Sequence, residues 1–192
     1  MNTLFASIGH NLRRLADFSG RETQILFWPY AILVYALSTV AAMVIVMVPI
    51  MRMFSRMMEQ ISAAEAQGGT VEPDFVKSPE MLMPDFSGLQ IPMALVNAIT
   101  ILLLAAAVAR RLHDKDRTAL WALLPLPSVV ATVALMPVMM PSMAMPSTPG
   151  PLMFFGSLNS MAYFGLFILL IVLTVGEGTR GPNRFGPEVG AA

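Results

Sequence analysis

The densest group of residues able to do chemistry is Arg110-Arg111-Leu112-His113-Asp114-Lys115-Asp116-Arg117. An imidazole beside carboxylates is raw material for general acid–base catalysis, and the same residues form part of a metal-ligand set. The spacing completes neither. His113 and its neighbour Asp114 do not face each other on a helix, and no nucleophile or oxyanion donor accompanies His113 with Asp114 or Asp116. A metal would need further ligands, such as the distant His10. On a helix, Arg110 and Asp114 stand four apart and Arg111 and Asp114 three apart, a spacing that permits ion pairing. Cations at a helix C-terminus also complement its dipole and bind anionic lipid head groups. The stretch therefore reads as an anchor and a topology signal. No catalytic residue, cofactor or enzyme activity is assigned.

One other group of residues could bind a ligand. The chain holds 17 methionines, and Met136, Met139, Met140, Met143 and Met145 crowd one short region. Thioethers are soft donors that select Cu(I), but methionine is also a flexible apolar filler, so copper binding stays a minor alternative. There is no cysteine, which excludes disulfides, thiolate metal sites, iron–sulfur clusters and thiol catalysis.

The elements that must position these residues are four long apolar runs, about 25–51, 91–109, 119–140 and 152–175, none with a charged residue inside. About 20 mostly apolar residues cross the hydrocarbon layer as a helix, so all four read as transmembrane helices. Apolar residues make up 56% of the chain and charged ones 12%, half the soluble-protein share of about 25%. The expected fold is all-α, a single polytopic membrane domain. Net charge is zero at neutral pH, so no overall field argues for nucleic acid.

Basic residues set the orientation by the positive-inside rule. Arg13, Arg14 and Arg21 precede the first run, Arg110, Arg111, Lys115 and Arg117 join the second and third, and Arg180 and Arg184 follow the fourth. The connection 52–90 is acidic on balance. Both termini are therefore expected on the cytoplasmic side of a bacterial inner membrane. Ala64-Glu65-Ala66 is similar to a signal-peptide cleavage site, but the apolar region ahead of it exceeds the 7 to 15 residues of a signal core, so it is read as retained.

The first sixteen residues predict an amphipathic interfacial helix, with Leu4, Phe5, Ile8, Leu12 and Leu15 on one side and His10, Asn11, Arg13 and Arg14 on the other. The spacing of Met51, Phe54, Met58 and Ile61 extends the first long helix until Gln67-Gly68-Gly69 stops it. The remainder of the long outer loop is rich in Pro, Gly, Ser and acid, and within it Pro73-Asp74-Phe75 recurs as Pro84-Asp85-Phe86. Trp28, Tyr30 and Trp121 fit an aromatic belt at the inner face.

Within the runs, Asn97, Thr132 and Asn159 lie six to eight positions from the outer ends, in one polar layer. Amides in hydrocarbon need partners, so Asn97 and Asn159 are expected to face the bundle interior, where they act as helix-to-helix glue or line a substrate layer. Gly156 and Ser160 form a small-xxx-small pair for close helix packing. Pro125, Pro127 and Pro137 are expected to kink or unwind the third run near both ends.

Arg110-Arg111-Leu112-His113-Asp114 followed by Asp116-Arg117-Thr118-Ala119-Leu120-Trp121 resembles the central signature of the DUF805 family of small bacterial inner-membrane proteins. Phe18-Ser19-Gly20-Arg21 with Phe27-Trp28 is similar to that family's approach to its first span, and GTRGPNRFGP from Gly178 to Pro187 to its tail. The resemblance implies a helical membrane fold but no activity. Thr23, Gln24 and Leu26 stand where the family usually carries more charge, and the 52–90 connection is longer than the family norm.

With that topology, Arg21, the Arg110–Arg117 loop and the tail with Asn183 and Arg184 share one face. Arg21 or Arg184 is then expected to pair with Asp114 or Asp116 in a closed cluster. The leading functional expectation is an accessory subunit whose partners are the lipid bilayer and other membrane-protein subunits or its own copies. The alternative is a small oligomeric transporter or channel.

Overall fold

Apolar periodicity resolves into helices in the computed structural model, which describes residues 2–68, 84–143 and 150–188. Among them the order is α1 (Asn2–Arg13), α2 (Gln24–Ala66), a 3₁₀ turn (Ser87–Leu89), α3 (Gln90–Asp114), a 3₁₀ helix (Ala119–Leu123), α4 (Leu126–Met143) and α5 (Pro151–Thr174). Among the described residues, three stretches are long and apolar enough to cross a membrane: Gln24–Ala66, Ser87–Asp114 and Pro151–Thr174. The chain is a membrane protein built from helices. Pro73-Asp74-Phe75 and Met145 lie outside the described residues, as do the side chains of Met136, Met139, Met140 and Met143.

The third expected span is unwound near its start, where Pro125 and Pro127 predict a kink or unwound turn. It opens as a 3₁₀ helix, turns at Leu124-Pro125, and becomes α-helical only from Leu126. The described apolar part, Ala119–Leu135, is shorter than the three spanning helices. Pro125 and Pro127 explain the restart. The Pro125 carbonyl accepts the Val129 N–H at 3.1 Å, and Pro127 falls in the first turn, where a missing N–H leaves no bond unmade. At the other end α4 runs through Pro137 to Met143.

The chain divides into two compact units, Met1–Ala36 with Ile99–Ala192, and Leu37–Ala98. In the smaller unit, α2 ends where expected: Gly68 takes a φ of +79° and donates its N–H to Glu65 at 3.0 Å. Asp85 Oδ1 accepts the Ser87 N–H at 2.9 Å and starts the turn into α3. Asn97 is exposed on α3, contrary to the expected inward orientation. Its neighbour Leu95 is exposed as well.

In the larger unit, Phe27, Tyr30 and Val34 form a stripe at helical spacing on α2 that packs with Ala107, Leu103, Leu104 and Val108 of α3. Small residues permit the approach, since Ala106, Ala107 and Ala109 are all buried. The Tyr30 hydroxyl donates to the Leu103 carbonyl at 2.9 Å. On α4 and α5, Asn159 Nδ2 donates to the Ser128 carbonyl at 3.1 Å and to Thr132 Oγ1 at 2.9 Å. Gly156 is buried, and Ser160 Oγ donates back to its carbonyl at 3.0 Å.

Helix α1 is shorter than expected and docks by a different face. Ser7 and Asn11, one turn apart, are its buried residues, while Leu4, Phe5 and Leu12 are exposed. Ser7 Oγ donates to the Leu26 carbonyl at 2.5 Å, and Asn11 Nδ2 donates to that carbonyl at 3.1 Å. Asn11 therefore belongs to the protein-facing side of α1 and not to the solvent side with His10. The Leu26 carbonyl, in the first turn of α2, thus accepts two side-chain donors from α1 and ties the two helices together.

Candidate functional site

Arg110 and Arg111 close α3 and are completely buried, as are Glu22 and, nearly so, Arg21 and Asp114. Burying a guanidinium costs several kcal/mol unless charge and hydrogen bonds replace water. Each of the three arginines meets that need in the same way, with one carboxylate and the backbone carbonyls at the end of another segment.

Arg110 reaches α1. Its Nε donates to Glu22 Oε2 at 2.7 Å, Nη1 to the carbonyls of Arg14 and Asp17 at 2.9 and 2.5 Å, and Nη2 to Asn11 Oδ1 at 2.7 Å. It thus caps the C-terminal end of α1, where a cation also meets the helix dipole. The i,i+4 pairing with Asp114 is not made, because Arg21 and Arg111 occupy that carboxylate. The Glu22 N–H returns a bond to the Arg110 carbonyl at 3.2 Å.

Arg111, pointing elsewhere, caps α5. Its Nε donates to the Thr174 carbonyl at 2.9 Å, Nη2 to the Gly176 carbonyl, and Nη1 to Asp114 Oδ2 at 2.5 Å. The chain turns at Gly176, whose φ of +84° suits a residue without Cβ.

Arg21 closes the set. Its Nε and Nη2 lie 3.0 and 2.9 Å from Asp114 Oδ1, while Nη1 and Nη2 donate to the Gly181 and Thr179 carbonyls at 2.7 and 2.5 Å. Thr179 answers with its N–H on the Asp114 carbonyl at 2.8 Å. Between them, a Cβ at Gly178 would stand 2.1 Å from Asp114 Oδ2, so only glycine fits there without a shift.

The rest of the tail folds over the end of α3. Asn183 Nδ2 donates to the His113 carbonyl and to Thr179 Oγ1, both at 2.9 Å, and pairs with Gly186 through two backbone bonds. Phe185 stacks on the His113 ring with centroids 3.9 Å apart, and His113 Nδ1 lies 3.2 Å from the Gly20 carbonyl. The imidazole serves here as a packing surface. Arg184 meets Asp116 at 3.1 Å in the exposed rim, and Arg117 covers Trp121 at 5.2 Å.

Asp116 also ends the helix. With φ of +55° it occupies the left-handed position, while the Arg117 N–H reaches the Leu112 carbonyl at 2.9 Å and the Asp116 N–H the His113 carbonyl at 3.0 Å. That is a Schellman cap with aspartate where glycine is usual.

The structure thus brings Arg21, Arg110, Arg111, His113, Asp114, Asp116, Asn183 and Arg184 to one end of α3. Asn159 and Thr132 bond each other elsewhere. Sequence reasoning missed Glu22, Asn11 and Gly178. A glutamate adjoining Arg21 just before an apolar run was the available signal for the first, and a glycine at the start of the tail motif for the last. Among the described residues no group of three or more His, Cys, Asp or Glu is placed to hold a metal ion.

A family described as "Protein of unknown function (DUF805)" matches residues 15–187, which include every arginine and carboxylate of this cluster. The chain belongs to the DUF805 family. No curated protein and no solved structure matches it. The three segments that carry the DUF805 resemblance, around Gly20-Arg21, Arg110–Trp121 and Gly178–Pro187, are the three that meet in the cluster.

Outside the spans, burial holds the His10 imidazole below its ordinary pKa; Glu22 opposes this, and Arg14 and Arg110 add to it. The Asp17 carboxyl is held well below the usual range by its bonds from Ser19 and Arg14. Desolvation lowers Lys115, whose ammonium donates to the Glu177 carbonyl at 2.5 Å.

Proposed function

We propose that this DUF805 protein is a non-catalytic accessory subunit of the bacterial inner membrane, crossing it four times with both termini cytoplasmic, and packing against other membrane proteins or its own copies. The observation that carries this reading is how the buried arginines are used. Arg21, Arg110 and Arg111 direct their donors at carboxylates, an amide and carbonyls of the same chain, which makes the cluster a lock on helix ends. A reaction centre would turn those donors toward a substrate.

The apolar helix faces support the second half of the proposal. Met161, Phe164 and Ile168 of α5 are 73%, 62% and 58% exposed, a surface suited to lipid or to a neighbouring helix. Leu4, Phe5 and Leu12 of α1 and the nearby Phe18 are exposed as well, and suit the membrane interface. With α4 as a fourth crossing, the basic segments share one side, as the positive-inside rule requires.

The test is purification of the tagged protein from its native membrane in mild detergent, with mass spectrometry of what elutes with it. Stoichiometric foreign subunits or a defined homo-oligomer support the proposal. A monomer alone counts against it and gives flux assays priority.

A further inference from the structure

Beside the arginine cluster lies a cleft of about 280 Å³ whose lining includes His10, Arg14, Glu22, Leu26, Phe185 and Pro187. Glu22 gives one carboxylate oxygen to Arg110, but its Oε1 is buried and has no hydrogen-bond partner among the described residues. A buried carboxylate oxygen left bare is costly, so an N–H or O–H donor from outside the chain would be strongly favoured there. The surrounding charge imposes a second condition. Arg21, Arg110 and Arg111 outnumber Glu22 and Asp114 by one among the buried groups, so an occupant bringing only positive charge would be repelled. On the exposed side of the cleft, Arg14 spends Nε and Nη2 on Asp17 and Ser19, whereas its Nη1 makes only a long 3.4 Å contact with His10 among the described residues.

We propose that this cleft binds a phosphate ester bearing a primary ammonium, the chemistry of an ethanolamine phospholipid head group. The ammonium donates to Glu22 Oε1, the phosphate takes the free Arg14 donors, and the two methylenes between them lie against Leu26 and Phe185. Leu26 is in the first turn of α2, where an apolar span begins, and Phe5, Phe18 and Ile25 are exposed nearby, so a head group can arrive with its acyl chains in the bilayer. A quaternary ammonium has no N–H to give Glu22. An anionic glycerol lipid satisfies Arg14 but offers the carboxylate only neutral hydroxyl donors, which bind it more weakly than an ammonium does.

The full chain, purified in mild detergent, is titrated with short-chain phosphatidylethanolamine, phosphatidylcholine and phosphatidylglycerol and with free phosphoethanolamine, and bound ligand is counted by native mass spectrometry. The expected result is at least tenfold tighter binding of phosphatidylethanolamine than of the other two lipids. Free phosphoethanolamine binding as well as the lipid would support the same site with a soluble ligand as its source. Glu22→Gln keeps an oxygen for Arg110 and puts an NH₂ group at the bare position, so the preference should vanish. Leu26→Trp fills the cleft while leaving the backbone carbonyl that Ser7 and Asn11 use, and decides the matter if Glu22→Gln does not fold. Equal binding of the three lipids, or a preference that survives Leu26→Trp, overturns the proposal.

Discussion

Arg110 and Glu22 are 88 positions apart in the chain and 2.7 Å apart in space, with neither side chain reaching solvent. Breaking such a pair from one side leaves a buried charge uncompensated, at a cost of about 3–5 kcal/mol. Arg110→Met should destabilise more than Glu22→Gln, because Arg110 also holds the Arg14 and Asp17 carbonyls and Asn11. Thermal unfolding of the two variants in detergent checks the order. Equal midpoints would show that the α1 cap contributes nothing.

Asp114 is shared by Arg21 and Arg111, so removing its charge strands two cations at once. Asp114→Asn should lower stability by about 3–5 kcal/mol, and Asp114→Lys should prevent accumulation of folded protein. A protease-resistance assay on isolated membranes reads both. Folded Asp114→Lys at wild-type level would refute the closed cluster.

Gly178 offers a sharper geometric case. Alanine there places its Cβ against a carboxylate that two arginines hold in position, and that side chain has no room to give. Gly178→Ala should cost about 1–3 kcal/mol, the usual range for overpacking. Gly165→Ala, on an open part of α5, is the control and should be neutral to stabilising, by up to about 1 kcal/mol.

Asp116 sits at a left-handed helix cap, which costs a β-branched residue about 1–2 kcal/mol. Asp116→Val should therefore destabilise measurably. Asp116→Gly should be nearly neutral, since relief of the backbone offsets loss of an exposed pair with Arg184 worth up to about 1 kcal/mol. Unfolding midpoints of the two variants give the comparison.

His10 predicts a pH dependence. Its folded pKa lies below the ordinary value of 6.5, chiefly through burial, so the unfolded chain binds more protons just below pH 6.5. Stability from the neutral ring is complete above that pH and is lost as pH falls through the window beneath it. Protection of α1 amides in hydrogen exchange should drop as the pH falls below about 6.5, and His10→Gln should flatten the drop.

Much of the architecture could be read directly from residue types. Apolar runs located α2, α3 and α5, and Gln67-Gly68 marked the end of α2, because hydrophobic periodicity and glycine conformation are local properties. The meeting of Arg21 and Asp114 was open to inference from topology. What could not be read was the role of main-chain carbonyls. Arg14, Asp17, Thr174, Gly176 and Gly181 accept through atoms that every residue possesses, so no side-chain pattern announces them. Asn11 was hidden for a related reason: in a helix rich in arginine it looks solvent-facing until Arg110 supplies its partner. The restart at Leu126 was hard to place because Pro125 and Pro127 permit a kink, an unwound turn or a fresh N-terminus.

The carbonyls of Thr174, Gly176, Thr179 and Gly181, which receive Arg111 and Arg21, come after α1 to α4 and at or beyond the last residue of α5. A ribosome makes the two arginines first and their acceptors last. The lock therefore closes only after the helices have been synthesised, and a chain broken off before Thr174 leaves Arg21 without its two main-chain acceptors and Arg111 with the Glu22 carbonyl alone.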